Sequence, residues 1–228
     1  MFILFTLLKK RIKRIINTKR VKNKQKIFCI GRNKTGTTSV KAAFDELNYI
    51  IGEQDVAEHL FEQSFLKGDY EPIIKYCQSA EVFQDVPFSF YRIIPHLDKA
   101  FPNSKFILTT RDTPEQWYKS FVKYYSKRSG VEGRTATYED LKSSTYVSNT
   151  FRAKFIIDAH GTSHEEPFNK EILIKQYNEH IEYVENYFKQ RPNDLLTINI
   201  AEPTAFKRFL AFIDKKSTAT TFPWENKT

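Results

Sequence analysis

Cysteine occurs twice in 228 residues, methionine once and glycine seven times, and no apolar run approaches the length of a membrane-spanning helix. Each scarcity excludes something. Two cysteines are too few for the disulfide framework of a small secreted domain, so Cys29 in an apolar run and Cys77 in a helical stretch read as reduced, buried thiols. The apolar stretch Phe2 to Leu8 is far shorter than the roughly 20 residues a span requires. Its charges follow the apolar part, the reverse of a secretory signal. The expectation is a cytoplasmic protein that at most touches the inner membrane surface peripherally. No internal repeat is present, and no low-complexity tract lies outside the basic N-terminal stretch.

Acid is missing from one place. Residues 1–26 hold ten Lys and Arg without a single Asp or Glu, and the rest of the chain carries 26 basic against 27 acidic residues. The net charge of +9 therefore belongs to the N-terminal segment. A near-neutral body lacks the basic face that nucleic acid would require, so no nucleic-acid partner is expected. Ile3, Leu4, Leu7, Leu8, Ile12, Ile15 and Ile16 recur at spacings of three and four among the cations, the pattern of a basic amphipathic helix. Residues 1–20 are thus the expected peripheral contact with an anionic membrane, and Asn17 to Gln25 reads as a linker. The division expected is a tail and linker over 1–25 and one domain over 26–228.

Within the body, apolar runs at 26–30, 80–84, 105–110 and 195–200 read as strands. Helical patterns lie between them at 37–47, 54–66, 71–79, 95–101, from Thr113 onward, and at 170–190, with another at 204–212. Residues 128–147 hold many Ser and Thr and two glycines, and read as a mobile segment. Strands alternate with helices and no link is a hairpin. The fold class is therefore α/β, a parallel β-sheet flanked by helices on both faces, preceded by the basic amphipathic helix.

Gly31-Arg32-Asn33-Lys34-Thr35-Gly36-Thr37-Thr38-Ser39 connects the first strand to the first body helix. Helix-start amides and the helix dipole make such a loop an anion site, with hydroxyls added by Thr37, Thr38 and Ser39. The Walker pattern of an ATPase wants Lys directly after its second glycine, whereas here Lys34 comes two residues before Gly36.

Lys34-Thr-Gly-Thr-Thr38 resembles the 5′-phosphosulfate loop of the sulfotransferase superfamily, whose pattern is Lys-x-Gly-Thr-Thr. The resemblance implies a P-loop-type fold and 3′-phosphoadenosine-5′-phosphosulfate as co-substrate. Donor binding would fall to Arg32, Asn33, Lys34, Thr35, Gly36, Thr37, Thr38 and Ser39, with Lys34 at the bridging oxygen. Many members carry an aromatic residue where this chain has Ser39. The family's 3′-phosphate element, a strand-end arginine followed by a helix serine, is matched by Arg111 and Ser120. Their spacing is nine residues where eight is usual, and arginine's planar fork suits a phosphate monoester.

Cytosolic sulfotransferases place a catalytic His-Leu-Pro between these elements, and Asp85-Val-Pro87 stands at that place. Asp85 is the expected catalytic base beside Lys34, with Glu53, Asp55 and His59 next in line. Family chemistry needs no metal. His160 and His164, four apart around Gly161, lack a third zinc ligand nearby. Tyr177, Tyr183, Tyr187 and Phe188 read as packing. The closing Phe222 to Thr228 looks like the tails of bacterial-type sulfotransferases. The acceptor is a small molecule, lipid or glycan hydroxyl. Two other readings stay open, an ATP-dependent phosphotransferase and a non-catalytic nucleotide-binding adaptor.

Overall fold

Among the described residues four short strands, β1 (Ile27–Cys29), β2 (Val82–Gln84), β3 (Lys105–Thr109) and β4 (Leu195–Ile198), pair in parallel in the order β2-β1-β3-β4. Phe28 lies opposite Phe83 on one side and Phe106 on the other, and Leu108 opposite Thr197. This is a computed structural model, and it describes residues 2–223, with the side chains of residues 2–4 and 6–8 outside the description. Residues 224–228, most of the closing segment, also lie outside the described residues.

The helices are α1 (Phe2–Arg20), α2 (Thr37–Glu46), α3 (Gln54–Gln63), α4 (Glu71–Tyr76), α5 (Ile94–Ala100), α6 (Pro114–Arg128), α7 (Tyr138–Ser143), α8 (Phe151–Ala153, continuing as a π-turn to Asp158), α9 (Lys170–Phe188) and α10 (Ala205–Phe212). A parallel sheet has to be covered on both faces, and the period of two along each strand supplies two apolar surfaces. Ile27, Cys29, Val82, Ile107 and Ile198 pack against Val40 and Phe44 of α2 and Phe206 and Phe209 of α10. Phe28, Phe83, Phe106 and Leu108 face the other way, into a larger core with α3, α4, α5, α6, α8 and α9. That core is aromatic, and the Phe28 ring lies within 6.0 Å of the Phe83, Phe88, Phe101 and Phe106 rings. The architecture is the α/β arrangement expected, with helices on both faces. Both cysteines are free and buried, and burial pushes their thiols up.

Two segments differ from expectation. Residues 128–147 are not uniformly irregular: α6 runs through Arg128, and α7 opens on a capping box. Thr137 N–H donates to Asp140 Oδ2 at 2.7 Å, Asp140 N–H donates to Thr137 Oγ1 at 3.4 Å, and Leu141 is fully buried. Ser, Thr and Asp build helix caps as readily as loops, so composition alone misreads this stretch. The expected linker at 17–25 is helical as far as Arg20, and Asn17 and Val21 are buried. Lys and Arg are good helix formers, and contact with the body carries the helix past its last isoleucine.

Among the described side chains of α1, those that meet the body are polar. Lys10 pairs with Asp55 at 2.6 Å and Arg14 with Glu53 at 3.8 Å, and the helix rests against the turn Cys77–Ser79.

Candidate active site

Leaving β1, the chain crosses the end of β3 so closely that a Cβ on Gly31 would stand 1.9 Å from Thr109 Oγ1. It then curls through left-handed backbone at Lys34 (φ 73°) and Gly36 (φ 102°) into α2. Glycine is required at position 36, because a Cβ there would lie 2.3 Å from Ile200 Cδ1 and the φ is strained for any L side chain. Gly36 offers no side-chain cap, and the start of α2 faces the loop, the arrangement that suits an anion.

Four contacts from distant elements hold that curl. Trp117 Nε1–H donates to the Asn33 carbonyl at 2.9 Å, and Arg111 Nε–H to the Lys34 carbonyl at 2.7 Å. Ser89 Oγ–H donates to Asn33 Oδ1 at 3.1 Å, and Thr35 and Thr109 hydroxyls meet at 2.5 Å. Tyr177 stacks on Trp117 at 4.6 Å, and its hydroxyl accepts the Arg111 N–H at 3.0 Å. This helix tyrosine thus braces the strand-end arginine.

The expected donor-binding and catalytic residues divide. Asn33, Lys34, Gly36, Thr37, Thr38, Asp85 and Arg111 line one cleft of about 370 Å³. Arg32, Thr35 and Ser39 do not. The Arg32 guanidinium is buried away from the cleft, donating to the Ser89 and Gln176 carbonyls at 3.3 Å each and lying 4.7 Å over the Phe90 ring. The Thr35 hydroxyl also donates to the Arg32 carbonyl at 2.6 Å, and Ser39 is buried on α2. Periodicity cannot assign sides in an irregular loop, so Arg32 and Thr35 could not be separated from their neighbours by position alone, whereas Ser39 lies one turn before Ala43 on the buried face of α2. Ser120 Oγ, off the cleft lining, is buried with no hydrogen-bond partner among the described residues, a cost that a bound acceptor group would remove.

The cleft is strongly cationic. Lys34 and Arg111 are joined there by Lys41 of α2, Arg128 of α6 and Arg152 of α8. Lys34 Nζ stands 4.0 Å over the Tyr124 ring, and burial, with Arg111 and Arg128 nearby, pulls its ammonium below the ordinary lysine value. Burial lowers Arg111 likewise.

Two carboxylates oppose these cations. Asp85, in left-handed backbone (φ 66°), receives the Val86 N–H at 2.8 Å and the Asn33 side-chain amide, both on Oδ1. Burial pushes its carboxyl above the ordinary value, against the pull of those bonds and of Lys34. Glu58 is the second. Burial, and Asp85 nearby, push it up to about 7, and Tyr146 O–H (3.1 Å) and Gln54 Nε2–H (3.4 Å) donate to its Oε1.

The alternative bases fall elsewhere: Glu53 and Asp55 pair with α1, and His59 is exposed. Glu58 could have been suspected, because it sits beside Ala57 and Phe61 on the buried face of α3, where an unpaired carboxylate is costly. Arg128 and Arg152 carried no comparable signal. His160 lies among Phe90, Phe121 and Phe155, and His164 stacks on Tyr138 at 4.0 Å.

No curated protein matches the chain. Residues 26–228 do match the family described as Sulfotransferase domain, a span that holds the whole sheet and the loop, strand end and helices around the cleft, and the chain belongs to that family.

Proposed function

We propose that this sulfotransferase takes the sulfuryl group from 3′-phosphoadenosine-5′-phosphosulfate and passes it to an acceptor hydroxyl. The observation that carries the reading is the joining of the Lys34 loop to the strand-end Arg111 at one cationic cleft. In this reading Asn33, Lys34, Gly36, Thr37 and Thr38 hold the 5′-phosphosulfate, while Arg111 and the unpartnered Ser120 hydroxyl take the 3′-phosphate. Arg32, Thr35 and Ser39 contribute by shaping the loop.

Transfer forms a bond from the acceptor oxygen to sulfur and breaks the bond from sulfur to the bridging oxygen of the donor. Lys34 stabilises the charge that grows on that leaving oxygen, where a preoriented cation in a desolvated site is most effective. Asp85, fixed by Asn33 and the Val86 amide, receives the acceptor proton. Glu58 faces the same cleft and orients the hydroxyl, and no step calls for a metal. The cationic segment 1–20 rests on an anionic membrane surface.

Incubation with sulfur-labelled donor and a panel of hydroxyl acceptors tests the reading, the expected outcome being metal-independent label transfer. Magnesium-dependent ATP turnover would replace it with phosphoryl transfer. Donor binding without transfer to any acceptor would leave a binding protein.

A further inference from the structure

Among the described residues, five large apolar or aromatic side chains stand exposed: Phe5, Ile12, Ile15, Ile16 and Tyr146. Four lie on α1, and the fifth, Tyr146, lines the cleft and is 54% exposed. Where its side chains are described, the helix is mounted with its large apolar residues outward. Lys10, Arg14, Asn17 and Val21 share the side that meets the body, and at 3.6 residues per turn Phe5, Ile12, Ile15 and Ile16 fall on the opposite side. Lys9, Lys13, Lys19 and Arg20 stand exposed around that stripe.

An exposed apolar stripe needs an occupant, and its charge selects one. A second copy of this chain would bring two acid-free, ten-cation segments together. An anionic bilayer satisfies both the stripe and the cations.

The mounting also ties α1 to the cleft. The ion pairs from α1 land on Glu53 and Asp55, at the start of α3, and Gln54 and Glu58 of the same helix line the cleft. Glu58 in turn holds the exposed Tyr146 by its hydroxyl, and an aromatic ring with a polar tip suits the edge of a bilayer. Gln84 faces the same end: its Nε2–H donates to Gln54 Oε1 at 3.2 Å, while its own Oε1 is buried with no partner among the described residues, placed to accept from a hydroxyl.

We infer that the acceptor is the hydroxyl-bearing headgroup of a lipid, presented to the cleft by an anionic bilayer on which α1 lies. The inference rests on the sulfuryl-transfer reading and adds the class of acceptor.

The test uses the full chain with vesicles of phosphatidic acid, which has no headgroup hydroxyl, alone or mixed with glycerol-, inositol- or hexose-headed lipids. Two quantities are read, co-sedimentation and transfer of labelled sulfate into the lipid fraction. Binding to anionic but not to phosphatidylcholine vesicles is expected, falling at least about tenfold from low to high salt. Label is expected in a hydroxyl-headed lipid and in none of the soluble headgroups at equal concentration. The triple variant Ile12→Ser, Ile15→Ser, Ile16→Ser should lose vesicle binding and lipid labelling, while its melting temperature and affinity for 3′-phosphoadenosine 5′-phosphate stay unchanged. Undiminished vesicle binding by that variant would overturn the docking face. Absence of label from every lipid would overturn the acceptor class, whatever the soluble panel gives. If 3′-phosphoadenosine 5′-phosphate also fails to bind, the fault lies with the sulfuryl-transfer reading itself.

Discussion

Arg111 donates its Nε–H to the carbonyl oxygen of Lys34 at 2.7 Å, across 77 residues of sequence. One arginine therefore both fixes the shape of the loop and lines the cleft. Arg111→Ala should weaken binding of 3′-phosphoadenosine 5′-phosphate by about 10²-fold, the scale of a lost charge-assisted pair. Adenosine 5′-phosphosulfate, which lacks the 3′-phosphate, should lose much less, only the part that depends on loop shape. Calorimetry on the two ligands decides it, and equal losses would leave Arg111 as a brace alone.

Lys34 and Asp85 should separate the two halves of the transfer. Charge on the bridging oxygen grows only as sulfur departs, so Lys34→Ala should lower kcat far more than donor affinity. Asp85→Asn keeps the shape and removes the proton acceptor, at a cost of about 10²-fold or more in kcat. Glu58→Gln should cost less than Asp85→Asn. The reverse order in steady-state assays would move the base to Glu58.

Glu58 also makes stability depend on pH. Its ordinary value of 4.5 is raised to about 7 in the fold, so between those values the folded state holds a proton that the unfolded chain releases. Stability from this group is present below pH 4.5 and is lost as pH rises through about 7. The total is roughly 3 kcal/mol at most, at 1.36 kcal/mol per pKa unit. Glu58→Gln should therefore flatten the fall in urea midpoint between acid and neutral pH. An unchanged slope in the variant would show that the carboxyl is not desolvated.

Gly36→Ala should damage both fold and donor binding. The added Cβ meets Ile200 Cδ1 at 2.3 Å, and the left-handed φ of 102° costs a further ~1–2 kcal/mol for an L residue. Adding Ile200→Ala should restore only the part due to the clash. Thermal melts of the single and double variants check this, and full recovery in the double variant would mean that the backbone geometry carries no cost.

Lys34-Thr-Gly-Thr-Thr38 was legible because an anion loop between a strand and a helix is a local object, built from contiguous residues whose backbone makes the site. The strand–helix alternation was legible for a similar reason: hydrophobic period is set by geometry within each element. The same holds for the basic, amphipathic character of residues 1–20. What only the tertiary structure decided is which side chains meet. Glu58, Arg128 and Arg152 come to the loop from three separate helices, brought there by the aromatic core rather than by any spacing in the sequence. Arg32 and Thr35 sit inside the same loop yet turn into the protein, held there by the Ser89 and Gln176 carbonyls and by the Thr109 hydroxyl, partners that are distant in sequence. The sequence made α1 two-faced, but its contacts with the body, the ion pairs to Glu53 and Asp55 and the burial of Asn17, decided which face turned inward and left Ile12, Ile15 and Ile16 outside.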